Sequence, residues 1–213
     1  MPESGGYHPY LEAARTRVVV YDGATGTNLQ QLGLTADDFG GPTFEGCNEV
    51  LNLTRPSVVA DLHASFLEVG CDVIETNTFG AFGVPLAEYG IADRAEEISR
   101  AGAAIARRVA SDFSTSDRPR WVAGSMGPGT KFPSLGQIRY RDLRDAYQPM
   151  AAGLLDGGVD LFIVETQFDL LGVKAAVAAC RRAMREAGRK VPVQVQVTME
   201  RTGRMLAGTE IGA

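Results

Sequence analysis

The sequence predicts an α/β fold built as a parallel (β/α)8 barrel, with about the first five βα units present in the chain. Three observations carry this. Short β-branched runs alternate with longer helical stretches along the whole chain, as parallel strands joined by helical crossovers must. Most of the runs are continuously apolar, the mark of strands covered on both faces. Polar residues close each run, and in a barrel all those ends meet on one rim, where barrel enzymes do their chemistry.

The first run is Arg17 to Tyr21, closing on Asp22-Gly23, and the second is Asp72 to Thr76. The third is Trp121 to Ser125, and the fourth is Asp160 to Thr166. The fifth, Val193 to Met199, alternates valine with glutamine. That pattern puts amides on one face, which suits a barrel interior with polar layers. Between the runs, Pro56 to Leu67 reads as a helix with proline in its first turn and Thr54 as its capping candidate. Arg94 to Asp112, Leu143 to Leu155 and Leu170 to Ala187 complete the helices. Gly70-Cys71-Asp72 and Gly158-Val159-Asp160 repeat one punctuation, a glycine that ends a helix before the chain re-enters the sheet. Glycine supplies 25 of 213 residues, above the ordinary ~7%. These glycines gather at the ends of apolar runs, so the strand-helix junctions are tight. Residues 1–16 read as a polar leader, and 17–213 as the partial barrel.

Composition removes several function classes. The balance of 21 basic against 26 acidic residues leaves no basic patch for nucleic acid. No apolar run approaches the roughly 18 to 20 residues needed to cross a bilayer. The polar opening has no secretory apolar region, so the expected location is cytoplasmic. Cys47, Cys71 and Cys180 form no CxxC and predict no metal site. With only His8 and His63, a Ser-His-Asp triad or an HExxH zinc site has almost no material. His8 reads as leader surface and His63 as a structural residue of a helix. Nucleotide folds fare no better, since Gly23-Ala24-Thr25-Gly26 is not GxGxxG. The run GSMGPGTK (124–131) inverts the P-loop Lys-Thr order, and Pro128 removes an amide that should face phosphate.

The carboxylates at strand ends stand out. Asp22, Glu75 and Glu165 each close an apolar run, where a buried charge needs a partner. Thr76, Thr78 and Thr198 are more simply read as caps of the following helix. Glu75 and Glu165 also admit a second reading, as the acid pair of a retaining glycosidase.

Several stretches together resemble one family. They are DGATGTNLQ (22–30), FEGCNEVLNLTRPSVV (44–59), GCDVIETNTFGA (70–81), GSMGPGTKFPSLG (124–136), LLDGGVDLFIVETQFDLLGVKAA (154–176) and VTMERTGRMLAGTEIGA (197–213). In this order they are similar to the homocysteine-binding domain of cobalamin-dependent methionine synthases, and cover most of the chain beyond the leader. The resemblance implies a (β/α)8 barrel that binds homocysteine as a zinc thiolate. The thiolate is methylated from methylcobalamin on another module, and a methyltetrahydrofolate domain restores the cofactor. It also implies substrate contacts at Asp22, Gly23, Ala24 and Glu165, with Ser125 and Thr166 as neighbours. Zinc ligands in the family are cysteines after the sixth and eighth strands, beyond residue 213, so neither zinc nor cobalamin is expected to bind this chain tightly. A betaine- or S-methylmethionine-dependent homocysteine methyltransferase shares the barrel and is the nearest alternative. A complete barrel needs about 250 residues or more, so the chain is expected to be a fragment, inactive alone.

Physical chemistry agrees with that assignment. An α-ammonium needs a carboxylate, and such a charge-assisted hydrogen bond contributes roughly 1.5–3 kcal/mol. An α-carboxylate suits the amides of a glycine-rich turn such as Gly23-Ala24 to Gly26.

Overall fold

Four strands lie side by side in the order β1-β2-β3-β4, all parallel. They are β1 (Val73–Glu75), β2 (Trp121–Met126), β3 (Leu161–Gln167) and β4 (Val193–Val197). The computed structural model describes residues 8–212, so residues 1–7 of the expected leader lie outside the described residues. The described part of the leader forms helix α1 (Pro9–Thr16). The long helices are α4 (Pro56–Val69), α6 (Ala95–Phe113), α7 (Tyr140–Asp156) and α8 (Leu170–Ala187); short α2 (Thr25–Gln31) and α3 (Leu51–Thr54) precede α4, and short α5 (Gly83–Leu86) follows it. No helix among the described residues is long and apolar enough to cross a membrane.

Period-two alternation sorts the strand residues into two layers. Ile74, Val122, Phe162 and Val164 face outward into a core shared with α6, α7 and α8. Val73, Trp121, Ala123, Leu161 and Ile163 face inward and pack around Tyr10 of α1. Tyr10 meets the Trp121 ring edge-on, with centroids 5.9 Å apart. Its hydroxyl lies 2.7 Å from that of Tyr21 and donates to Gln194 Oε1, also at 2.7 Å. One amide of the alternating fifth run is therefore spent inside the curve of the sheet.

The expected first strand is reduced to a single parallel bridge, Tyr21 to Val73. Val20 C=O accepts both Asp72 N–H and Val73 N–H, and Asp22 N–H reaches Val73 C=O. The segment follows the edge of β1 without building a ladder. Among the described residues no strand lies on its far side, and Val18 remains 81% exposed. Thr54 does not cap α4 either. It ends α3, and its hydroxyl turns back to Val50 C=O, leaving Arg55 at the cap position without a side-chain cap. Gly70 (φ 106°) and Gly158 (φ 96°) do adopt the left-handed turn that their repeated punctuation requires. His8 is half-buried rather than free surface, and burial lowers its pKa. His63 is buried, and desolvation pushes it down to about 4, which makes it a neutral core residue.

Candidate active site

Glu75, Ser125 and Glu165 each continue the inward-facing set by one step beyond Val73, Ala123 and Ile163. Strand pairing staggers them by two residues per strand, with Glu75 opposite Ala123 and Ser125 opposite Ile163, so that they step along one inner face. They line a cavity of about 460 Å³ at the C-terminal ends of the strands. Gly23, Ala24, Thr25 and Gly26 form another wall, with Asn48, Glu49 and Phe79 also lining it. Asp22 sits just behind that wall, and its Oδ2 accepts Glu75 N–H at 3.0 Å. Ser125 Oγ donates to Glu165 Oε1 at 2.5 Å.

Hydrogen bonds to the backbone hold this arrangement. Thr76 Oγ1 accepts Ser125 N–H at 3.0 Å and lies 2.6 Å from Thr78 Oγ1, which donates to Ser125 C=O at 2.8 Å. Thr76 and Thr78 therefore fix β2 at Ser125 instead of capping a helix. Asn77 Nδ2 donates to Asn48 C=O at 2.7 Å, and Asn52 Nδ2 donates to Asn77 C=O at 2.8 Å. These amides tie the loop before α3 to the end of β1. Glu49 Oε1 accepts Gly80 N–H at 2.7 Å. None of these supports follows from strand periodicity; the dense Asn and Thr content of 48–52 and 76–78 was the available signal.

Thr166, a candidate contact, is not among the residues lining the cavity. It carries the backbone at φ 55°, the one non-glycine in the left-handed region among the described residues. Pairing between β3 and β4 slips there, from Val164–Val195 to Gln167–Val197. The extra residue is a bulge. It leaves Glu165 inward and turns Gln167 outward, toward Tyr147 and Gly172 of the helix layer.

The electrostatics are one-sided. No Lys, Arg or His is among the lining residues. Burial pushes Asp22 up to about 7, with the Glu165 charge adding to it against the Glu75 N–H bond. Glu75 rises to about 8, first through burial and then through Glu165 and Asp22. Desolvation also raises Glu165, opposed by the Ser125 hydroxyl. Such displaced carboxylates concentrate where proteins bind or transform ligands.

The three cysteines stay apart from this chemistry. All are buried and free. Burial raises Cys47 to about 12 and Cys71 to about 11, and lifts Cys180 well above the usual thiol range. Cys180 Sγ lies 3.4 Å from Met126 Sδ in the outer core. No group of three His, Cys, Asp or Glu among the described residues is disposed to hold a metal ion.

Residues 19–213 match the family described as homocysteine S-methyltransferase. The chain belongs to the homocysteine S-methyltransferase family. It is 55% identical over 203 residues to the methionine synthases of Mycobacterium leprae and of Mycobacterium tuberculosis, covering 95% of this chain. It spans 17% of the length of these curated relatives. Among solved structures, the metallated form of the homocysteine methyltransferase MmuM from Escherichia coli superposes with a TM-score of 0.75 at 17% identity. That match covers 94% of this chain and 70% of the other, and its oxidised form gives a TM-score of 0.74. The shared fold is a parallel α/β barrel, of which this chain holds part. Membership in the family sets aside the retaining-glycosidase reading of Glu75 and Glu165.

Proposed function

We propose that this domain binds homocysteine for S-methylation, and that the protein containing it is a methionine synthase. The observation that carries the reading is the acid-lined cavity, set at the strand ends of a chain from this family. A zwitterionic amino acid meets complementary walls there. Glu165, oriented by Ser125, and Asp22 accept the α-ammonium. At Gly23 and Ala24 the chain enters α2, whose first N–H groups have no intrahelical acceptor, and these amides hold the α-carboxylate. Thr166 acts through the bulge that aims Glu165. The side chain of the substrate then extends toward the open rim with its sulfur outermost.

Under this reading, the resemblance assigns the longer protein a zinc ion that holds the sulfur as thiolate, a methylcobalamin module as methyl donor, and a methyltetrahydrofolate domain. The residues described here do not fit that zinc. Their cysteines are buried, protonated and divided between the loop before α3, the start of β1 and the sheet-facing side of α8. This chain's contribution is to bind and orient the amino-acid end of the substrate. The 55% identity to methionine synthases favours the cobalamin donor over betaine or S-methylmethionine. A cytoplasmic location belongs to the same reading.

The test is Glu165→Gln in the intact protein, which keeps the shape and removes the charge. Homocysteine affinity is expected to fall about ten- to hundredfold, the equivalent of one charge-assisted hydrogen bond, with metal content retained. Unchanged affinity in a metal-loaded variant would remove Glu165 from the site.

A further inference from the structure

Four acidic side chains serve the cavity, and three of them have a local partner. Asp22 takes the Glu75 N–H, Glu165 takes the Ser125 hydroxyl, and Glu49 takes the Gly80 N–H. The fourth, Glu75, ends β1 half-buried, and none of the hydrogen bonds or ion pairs found among the described residues reaches its carboxyl. The groups that face it are no help. Asp22 and Tyr21 act on it from the preceding segment and Glu165 from β3, while Ser125 of β2 lines the same cavity with its hydroxyl already given to Glu165.

Charge counting then limits what the empty pocket can carry. Asp22, Glu75 and Glu165 would bring three negative charges into one poorly solvated space that no cation among the described residues lines. Like charges that close in low dielectric do not all ionise near neutral pH. A bound amino acid brings one ammonium, which favours the ionised form of whichever carboxyl it faces. Asp22 and Glu165 already accept hydrogen bonds that favour their charged forms. Glu75 has none, so a proton is held most readily there.

We propose that Glu75 is a specificity-determining residue of this site, protonated while the pocket is empty and ionised when the substrate's α-ammonium enters. This rests on the reading that the cavity takes the amino-acid end of homocysteine. In the exchange the Glu75 O–H bond breaks, its electron pair stays on the carboxylate, and the proton passes to solvent. The ammonium keeps all its hydrogens, and nothing is oxidised or reduced. The displacement of Glu75 to about 8 by burial, Glu165 and Asp22 points the same way. A ligand without the ammonium leaves Glu75 protonated and gains none of this attraction, so the site selects for a free α-amino group.

Calorimetry on the intact protein tests it, with L-methionine as the probe. Methionine has both charged ends but no S–H, so thiol ionisation cannot contribute protons. Binding is measured near pH 7 in buffers of different ionisation enthalpy, beside 4-(methylthio)butyrate, which lacks the amino group. Wild type is expected to release about half to one proton per methionine, with affinity rising about three- to tenfold between pH 6 and pH 7. The amine-free analogue is expected to bind weakly and release none. Glu75→Gln is expected to release less than half as much and to flatten the pH profile. Methionine binding without proton release overturns the proposal and leaves the pocket reading intact, as does full release in Glu75→Gln. Failure of both methionine and homocysteine to bind wild type overturns the pocket reading itself. Should the variant not fold, the wild-type buffer series and the two-ligand comparison still decide.

Discussion

The two ends of the sheet carry the same kind of residue under opposite electrostatic conditions. At the N-terminal end, Asp72 precedes β1 and Asp160 precedes β3. Each accepts a backbone N–H from the neighbouring segment, Val20 at 2.9 Å and Val122 at 2.7 Å. Each also meets arginine: Asp72 pairs with Arg17 at 2.9 Å and Arg120 at 3.6 Å, and Asp160 with Arg107 at 2.7 Å. Burial alone would raise Asp72, but the Arg17 and Val20 hydrogen bonds hold it below its ordinary value. At the C-terminal end, Asp22, Glu75 and Glu165 have hydroxyl and amide neighbours but no cation among the described residues, and all three rise. A carboxylate paired with arginine closes one end as structure. A carboxylate left without one is pushed toward its protonated form.

The largest effect lies at the paired end. The Arg120 side chain is 4% exposed, and among the described residues its guanidinium without Asp72 keeps the Cys71 carbonyl, at 2.7 Å, as its one hydrogen-bond acceptor. Arg17 is 42% exposed, so its share of the pairing is small by comparison. Asp72→Ala therefore strands a buried cation, and the expected loss is about 3–5 kcal/mol in urea unfolding. Asp160→Ala should cost less, because its partner Arg107 is 31% exposed. A loss below about 1 kcal/mol for Asp72→Ala would mean that this end is held by packing alone.

A second comparison is in the sign of the pH dependence. For Asp22 and Glu75 the folded pKa lies above the unfolded one, so folding binds their protons. Their contribution to stability is complete below about pH 4, and is lost as the pH rises through the values near 7 and 8. Asp72 works in reverse, contributing at neutral pH and losing its contribution as the pH falls through its lowered value. Replacing both open-end groups, as Asp22→Asn with Glu75→Gln, should flatten the decline in stability between pH 5 and pH 8. Unfolding midpoints across that range give the slope. An unchanged decline would place its origin elsewhere in the molecule.

The contrast between the ends was only partly legible in sequence. Apolar runs marked β1 to β3, the alternation of valine with glutamine marked β4, and Leu170 to Ala187 matched α8 residue for residue. Those runs also brought Glu75, Ser125 and Glu165 to one rim, since a period of two carries alternate residues onto the same face. The first run failed as a strand because its pairing depends on neighbours in the sheet, and Val18 and Val20 have solvent where a second strand would lie. Tyr10 carries no sequence signal, because a single aromatic in a polar stretch has no period, and its burial is set by Tyr21 and by Trp121 and Gln194 far along the chain. The arginine pairing was invisible for the same reason. Arg17 and Asp72 are remote in sequence, and nothing local tells Asp72, which is paired, from Asp22, which is not. The amides of Asn52 and Asn77 likewise find each other only through the fold.

The smallest effect concerns the residue that keeps Glu165 aimed at the open end. Thr166 is β-branched and sits at φ 55°, a conformation that costs an L-residue roughly 1–2 kcal/mol. Glycine removes that cost but adds freedom to the unfolded chain, worth about 0.4–1 kcal/mol in the other direction. Thr166→Gly should therefore stabilise the protein by no more than about 1 kcal/mol. The bulge would also be less firmly set, since glycine admits other backbone angles at the place where β3 changes phase against β4. Glu165 would then sample orientations away from Ser125, and homocysteine affinity should fall about threefold, less than the loss of a full hydrogen bond. Denaturation midpoints and homocysteine titration of the same intact variant separate the two consequences. A variant less stable by more than about 1 kcal/mol would show that Thr166 is held by side-chain contacts rather than strained against them.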